Sequence, residues 1–204
     1  MQENTNSSKL GDILNKNGGY ITRRQVDQNG IQSWFLTDFV RKENLEKLAA
    51  GFYAKPDWLT DDFLVFQYKY PKFIFSYESA LYLLNLTDSL PQTFEVTGPK
   101  NYRPFSPKEN IAIIHTDYKK ETYELGIAEV ETNLGNKVLA YNAEKTVCDL
   151  IRRSEKIDSE IYTKALYNYS KLKNKNPNRL IEYAKTMGIQ KKVYDIMMVV
   201  LNEL

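Results

Sequence analysis

The chain has 204 residues, 42% of them hydrophobic and 26% charged, with a formal net charge of +2. That length holds one large domain or two small ones with a core that needs no disulfide staples. Fifteen tyrosines and nine phenylalanines exclude a disordered chain, the near-neutral charge excludes a polybasic coat protein, and no apolar run approaches the ~20 residues of a membrane span.

The single cysteine, Cys148, can form no internal disulfide, and the polar start "MQENTNSSKL" has no apolar signal core. Both point to a reducing cytoplasm. Charge is uneven along the chain. Residues 1–57 carry eight Lys/Arg and seven Asp/Glu, residues 58–140 eight and eleven, and residues 141–204 twelve and eight. Any nucleic-acid contact must therefore come from local clusters.

In chain order, Leu10, Ile13 and Leu14 give the apolar stripe of a first helix, which Gly18 and Gly19 end. Tyr20-Ile21 is an extended link. Thr22 with Gln25 three residues on predicts the capping box of a second helix, broken at Gly30. A third helix runs from about Ser33 to Glu43, followed by two short extended pieces around Gly51 that stop at Pro56. "FLVFQY" reads as a strand or a helix end. Ser76 to Leu84 reads as a helix with Ser76 as N-cap, its hydroxyl accepting from the Ser79 N–H or nearby. "TFEV", "IAIIHTD" and "YELGIAEVETNLGNKVLAY" read as β, with a hairpin turn at 134–137. From Asn142 the pattern is helical to the end. The last stripe is Val193, Met197, Val200 and Leu204, and "IMMVVLNEL" is apolar enough all round to need burial on more than one side.

Helix, link, helix, glycine, helix, hairpin is the layout of a winged helix-turn-helix. The third helix has the two faces such a unit needs. Stepping about 100° per residue puts Phe35, Leu36, Phe39 and Val40 on one arc. Ser33, Trp34, Thr37, Asp38 and Arg41 fall on the other, which offers hydroxyls, an indole and a guanidinium to base edges and phosphates. Arg23, Arg24, Arg41 and Lys42, with Lys47 and Lys55 on the hairpin, are the expected phosphate contacts, and Ser33, Thr37 and Trp34 the expected base contacts. The bland alternative is a solvated helix face on a unit that packs protein.

Three stretches, "LEKLAAGFYAKPDW", "FIFSYESALYLLNLTDSLPQTFEVTGP" and "YNAEKTVCDLIRR", resemble in order and spacing the AbiEi family of abortive-infection antitoxins. Gly51 and Tyr53 match an Arg-Gly-x-Tyr wing motif whose arginine is here Ala50. Ser76, Ser79, Ala80 and Leu81 match Ser-x-x-Ser-Ala-Leu. Leu86, Thr87, Asp88 and Pro91 match a Leu-Thr-Asp…Pro turn. Glu144, Lys145, Thr146 and Asp149 match an Arg-Thr-x-x-Asp helix start, with lysine for arginine. The resemblance implies an antitoxin of a type IV toxin–antitoxin system, active in phage resistance. Its head would repress its own operon by binding operator DNA, expected as inverted repeats. Its larger domain would act against a nucleotidyltransferase-like toxin without a stable complex.

No enzyme signature competes. There is one histidine, His115, and no Cys-x-x-Cys, Walker loop or serine elbow. His115 reads as a half-buried strand-end residue and Cys148 as packing. No cofactor, metal site or membrane partner is expected. Lys145, Arg152, Arg153 and Lys156 form the densest basic cluster of the far domain and are the candidate antitoxicity residues. Lys145, Arg152 and Lys156 share a helical face with Asp149, where the plain reading is a surface salt-bridge ladder.

The expected architecture is α+β: a winged helix-turn-helix at 1–57 and a larger mixed α/β domain at 58–204 that ends in helices. The rival reading is a stand-alone winged-helix transcriptional regulator whose C-terminal domain senses a ligand.

Overall fold

The computed structural model describes residues 2–105, 111–117 and 119–202, and within 2–4 and 201–202 the backbone only. It is mixed α/β and divides into two compact units, residues 1–69 and 70–204.

The first unit runs α1 (Gln2–Lys16), β1 (Tyr20–Thr22), α2 (Arg23–Gln28), α3 (Ser33–Lys42), β2 (Glu46–Ala49), β3 (Phe52–Ala54) and α4 (Asp62–Lys69). The strands form an antiparallel sheet in the order β1-β3-β2. This is a winged helix-turn-helix in its connectivity. Its core joins Leu10 and Leu14 of α1, Ile21 of β1, Val26 of α2, Leu36 and Phe39 of α3, and Ile31 and Leu45 of the connections. The expected capping box is present: the Thr22 hydroxyl accepts from Gln25 N–H at 3.3 Å, and Gln25 Oε1 accepts from Thr22 N–H at 2.9 Å.

The unit extends past the expected boundary at 57. "FLVFQY" is helical, in α4, which buries Phe63, Val65 and Phe66. Tyr68 at its end packs edge-on to Phe52, and its hydroxyl donates to the Gly51 carbonyl at 2.9 Å. The hydrophobic period of so short a segment fits strand or helix equally, and its attachment to the hairpin is a tertiary contact that no local pattern carries.

The second unit runs β4 (Ile74–Phe75), α5 (Tyr77–Leu83), β5 (Phe94–Pro99), β6 (Ala112–Asp117), α6 (Lys120–Glu124), β7 (Ile127–Glu131), β8 (Lys137–Tyr141), α7 (Ala143–Arg152), a 3₁₀ turn (Ser154–Lys156), α8 (Ser159–Lys171), α9 (Pro177–Thr186) and α10 (Gln190–Asn202). Its sheet is mixed, in the order β6-β5-β4-β8-β7, with β5–β6 and β4–β8 parallel. Leu81 and Leu86, three apolar residues of α7 (Val147, Leu150, Ile151) and residues of α8, α9 and α10 make the helical core.

Three local expectations change here. Tyr123 and Glu124 close α6 rather than opening a strand; Gly126, at φ +73, marks the change into β7. The β7–β8 loop spans 132–136, not 134–137. Only Gly135 has positive φ there, and the Thr132 hydroxyl accepts from the N–H groups of Leu134 and Asn136. On α10, Val193 and Met197 are buried, but Tyr194, Met198 and Val199 are 55%, 45% and 58% exposed, so the chain covers one side of this helix only. Leu204 lies outside the described residues.

Candidate nucleic-acid interface

The exposed arc of α3 is the one the helical period predicts. Ser33, Trp34, Thr37 and Arg41 are exposed and Asp38 is half-buried, while Leu36 and Phe39 face the core. Trp34 is 51% exposed. Its indole is fixed, stacked on Phe35 with ring centroids 3.5 Å apart and donating from Nε1 to Gln32 Oε1 at 2.8 Å. The Thr37 hydroxyl makes a long bond, 3.4 Å, to the Ser33 carbonyl, which leaves its lone pairs open to an incoming donor.

The cations are arranged differently from expectation. The hairpin is short: β2 and β3 are joined at Ala50-Gly51, and the Arg23 N–H donates to the Gly51 carbonyl at 2.7 Å. The tip therefore lies against the start of α2 rather than projecting as a free wing, and neither tip residue carries a charge. Arg23 and Arg24 stand beside it. Arg23 Nε bonds Asp27 Oδ1 at 2.7 Å, and the Arg24 guanidinium lies 5.5 Å from the Tyr68 ring centroid. Burial lifts the Tyr68 phenol above its ordinary value against the pull of the Arg24 charge. Lys47 is exposed on β2. Lys55 is a correction: it follows β3 at the end remote from the tip, donates its N–H to Gly19, and lines a cleft with Ser8, Gly11 and Glu43. Antiparallel pairing of β3 with β1 forces this, since Ala54 pairs with Tyr20, far along the strand from Phe52 opposite Thr22.

At the end of α3, Asp38 Oδ1 takes Arg41 Nη2 at 2.7 Å, and its Oδ2 lies 3.4 Å from Lys42 Nζ. Asp38 and Tyr68 are the residues that reading the sequence for cations missed. Asp38 was visible as an acid three and four residues before two bases. Tyr68 carried no such signal.

The far basic cluster is not a surface ladder. Lys145 is buried, with Nζ 2.6 Å from Asp149 Oδ2 and 4.2 Å from the Tyr141 ring centroid. Asp149 Oδ1 also takes Arg152 Nη2 at 2.8 Å. Lys156 lies on the 3₁₀ turn beyond α7, exposed and off the Asp149 face. Arg153 Nη1 meets His115 Nδ1 at 2.6 Å. A guanidinium can only donate, so Nδ1 accepts and the ring proton sits on Nε2, which faces Glu95 Oε1 at 3.4 Å. Tyr77, at φ +46, sets its ring 4.2 Å from His115 and 4.8 Å from Arg153, with Arg152 Nη2 3.4 Å from its hydroxyl. Such a φ is costly for a bulky residue, and the packed ring is what holds it there.

The resemblance motifs meet in this region. Ser76 does not cap α5 with its own hydroxyl, which takes a bond from Thr97 Oγ1 at 3.0 Å. Glu95 does the capping from β5, accepting from Glu78 N–H at 3.0 Å, while its own N–H donates to Ser79 Oγ at 2.8 Å. Burial raises the Glu95 carboxyl, but the His115 and Glu78 bonds and the Arg153 charge outweigh it and leave it below the ordinary value. Cys148 packs on α7 with Sγ 3.6 Å from the Leu180 carbonyl, and burial pushes its thiol up to about 12.

Among the described residues no group of three or more His, Cys, Asp or Glu is placed to hold a metal, and no helix is long and apolar enough to cross a membrane. No family model and no curated protein matches the chain. Among solved structures it is similar to the RV2827C protein from Mycobacterium tuberculosis, with a TM-score of 0.53 and 13% identity, covering 89% of this chain and 71% of that one. At that identity the likeness shows the fold alone.

Proposed function

We propose that the first unit binds double-stranded operator DNA through the exposed arc of α3 and the start of α2. The observation that carries this reading is the juxtaposition in a winged helix-turn-helix of a fixed, half-exposed Trp34 and open Ser33 and Thr37 hydroxyls on α3 with Arg23 and Arg24 beside the hairpin tip. Such groups divide the work as protein–DNA contacts do: base-edge groups specify and cations position. Ser33, Trp34 and Thr37 read bases; Arg23, Arg24, Arg41, Lys42 and Lys47 meet phosphates.

The resemblance to AbiEi antitoxins extends the reading. The protein then acts in the cytoplasm as a type IV antitoxin, represses its own operon at inverted repeats, and counters a nucleotidyltransferase-like toxin through its second unit without a stable complex. Arg152, Arg153 and Lys156 are the antitoxicity candidates. It acts as a binding protein and not as an enzyme. The test is a mobility-shift titration of the full chain on the DNA upstream of its own gene, alongside toxin rescue in cells. Replacing Arg23, Arg24 and Lys47 by alanine should weaken binding and flatten its dependence on salt by about 0.9 in log–log slope per lost phosphate contact. Unchanged affinity and slope sink the DNA reading.

One observation favours the rival, a ligand-sensing regulator. A groove of about 520 Å³ between α8 and α10 is lined by Tyr162, Leu166, Tyr167, Ile196 and Val199, with Thr163 and Asp195 as polar groups. That size and lining suit a small apolar ligand. Operator binding that responds to a metabolite pool while toxin rescue fails would favour it.

A further inference from the structure

Three of the head's exposed cations are already occupied. Arg23 is paired with Asp27, and Arg41 and Lys42 share Asp38. These acids are not remote from the proposed interface. Asp38 lies on the exposed arc of α3, one residue from Thr37, and Asp27 lies one helical turn along α2 from Arg23. Nor do they serve the core: the Asp38 side chain is 42% and the Asp27 side chain 53% exposed, and each carboxylate pairs with these cations. Surface pairs of this kind contribute little to stability, so their effect on fold is small. Their effect on a polyanion is not. Residues 1–69 carry nine Lys/Arg and nine Asp/Glu, so the unit is formally neutral, and two of those nine acids stand within the surface that would face phosphates.

We infer that Asp38, with Asp27 in the same role, determines specificity by restraining binding to non-cognate DNA. The inference rests on the DNA-binding reading above. On a sequence with no base contacts to offer, a phosphate must displace Asp38 from Arg41 and Lys42 and also meets its charge. The electrostatic term that supplies nearly all non-specific affinity is thereby reduced. On the operator, docking through Ser33, Trp34 and Thr37 sets Asp38, on the same arc, against base edges, where a carboxylate can accept from a cytosine amino group, so the cost is smaller there. The acid therefore widens the ratio of specific to non-specific affinity, which is the quantity that matters against a genome of competing sites. It works by building a penalty against the wrong partner rather than a contact to the right one.

The test titrates full-length wild type, Asp38→Asn, Asp27→Asn and Asp38→Glu against two duplexes of equal length at several salt concentrations. One duplex is the region upstream of the protein's own gene and the other is a scrambled sequence. Asn keeps the size of Asp, Asp27 is exposed and Asp38 is only half-buried, so the fold should survive; circular dichroism and a thermal melt check it. Asp38→Asn should bind the scrambled duplex several-fold more tightly. Its log–log salt slope should steepen by about 0.9 for each cation freed, and its preference for the upstream duplex should fall. Asp27→Asn should do the same to a smaller degree, one cation being freed. Asp38→Glu keeps the charge and should stay near wild type. If wild type prefers the upstream duplex and Asp38→Asn binds scrambled DNA no better, Asp38 has no such role. If Asp38→Glu behaves like Asp38→Asn, the geometry of the pair and not its charge matters, and the inference fails in that form. Wild type that binds neither duplex sinks the DNA-binding reading itself, a result distinct from both.

Discussion

Lys145 Nζ lies 2.6 Å from Asp149 Oδ2, and both side chains are 1% exposed. Two unit charges enclosed this way attract strongly, but each has also lost its hydration, and the balance shows when one is removed. Lys145→Met leaves a buried carboxylate with only Arg152 and should cost about 3–5 kcal/mol. Lys145→Met with Asp149→Leu removes both charges at similar volume and should restore most of that loss, since the 37%-exposed Arg152 can turn to water. Urea unfolding of the full chain measures both. Equal losses in the single and double variants would assign the cost to packing instead. In either case charge reversal at Lys145 tests folding, so Arg152, Arg153 and Lys156 are the positions at which toxin rescue is informative.

Gly51 joins the hairpin tip to two elements. Its φ is +76, and an added Cβ would lie 2.9 Å from both Arg23 Cβ and Tyr68 Oη. Gly30, in the same unit, has φ +68 and open space around it. Gly30→Ala should therefore cost only the left-handed backbone penalty, about 1–2 kcal/mol. Gly51→Ala should cost more, because the hairpin must move away from α2 and α4. The difference between the two melts isolates the crowding. A difference near zero would mean the tip moves freely, and the bracing role given to Tyr68 would fall.

What was legible in the sequence follows the range of each signal. The Thr22–Gln25 box, the two faces of α3 and the helical C-terminal third depend on spacings of three or four residues, and they stand as read. The attachment of α4 to the head, the capping of α5 by Glu95 and the burial of Lys145 depend on partners brought by the fold. Glu95 is 17 residues from the N–H it caps, and Lys145, whose ion-pair partner is only four residues on, is enclosed because α7 is buried along most of its length by the elements packed round it. The pattern Lys-x-x-x-Asp is the same for a surface pair and for a buried one; only the apolar neighbours Val147, Leu150 and Ile151 hinted at which face turned inward. The Lys55 placement failed for a related reason, because strand length and register decide which end of a hairpin a residue occupies.

Glu95 makes the second unit sensitive to acid. Its folded carboxyl lies below the ordinary value of 4.5 through its bonds to His115 and Glu78 and the nearby Arg153 charge. In the window between the two values the unfolded chain binds the extra proton, so stability rises with pH there. The contribution is complete above the unfolded value and lost as pH falls through the folded one. Urea midpoints collected from about pH 3 to pH 6 should rise steeply for wild type and less so for Glu95→Gln, with the two curves converging at the acid end. Parallel curves would show that the Glu95 bonds carry no net charge-state preference.

The boundary at Lys69 decides how the two units can be separated. A cut after Asp57 leaves α4 on the wrong fragment. The head would lose Tyr68, which bonds Gly51 and lies under Arg24, and the larger fragment would begin with a helix cut from its hairpin contacts. A cut before Tyr70 follows the structural division. Residues 70–204 should then give a monodisperse fragment with a cooperative melt, because 135 residues is an ordinary domain size and the helical core of α5 and α7–α10 lies wholly within it. Residues 58–204 should melt less cooperatively and be less monodisperse, because α4 is then without the Phe52 ring and Gly51 carbonyl that hold Tyr68. Light scattering and thermal melts of the two fragments read the difference directly. On the proposed division of labour, fragment 70–204 should also rescue cells from the toxin while binding no operator DNA. A well-behaved 58–204 fragment beside an unfolded 70–204 fragment would place α4 in the second unit's stability, and the boundary drawn here would be wrong.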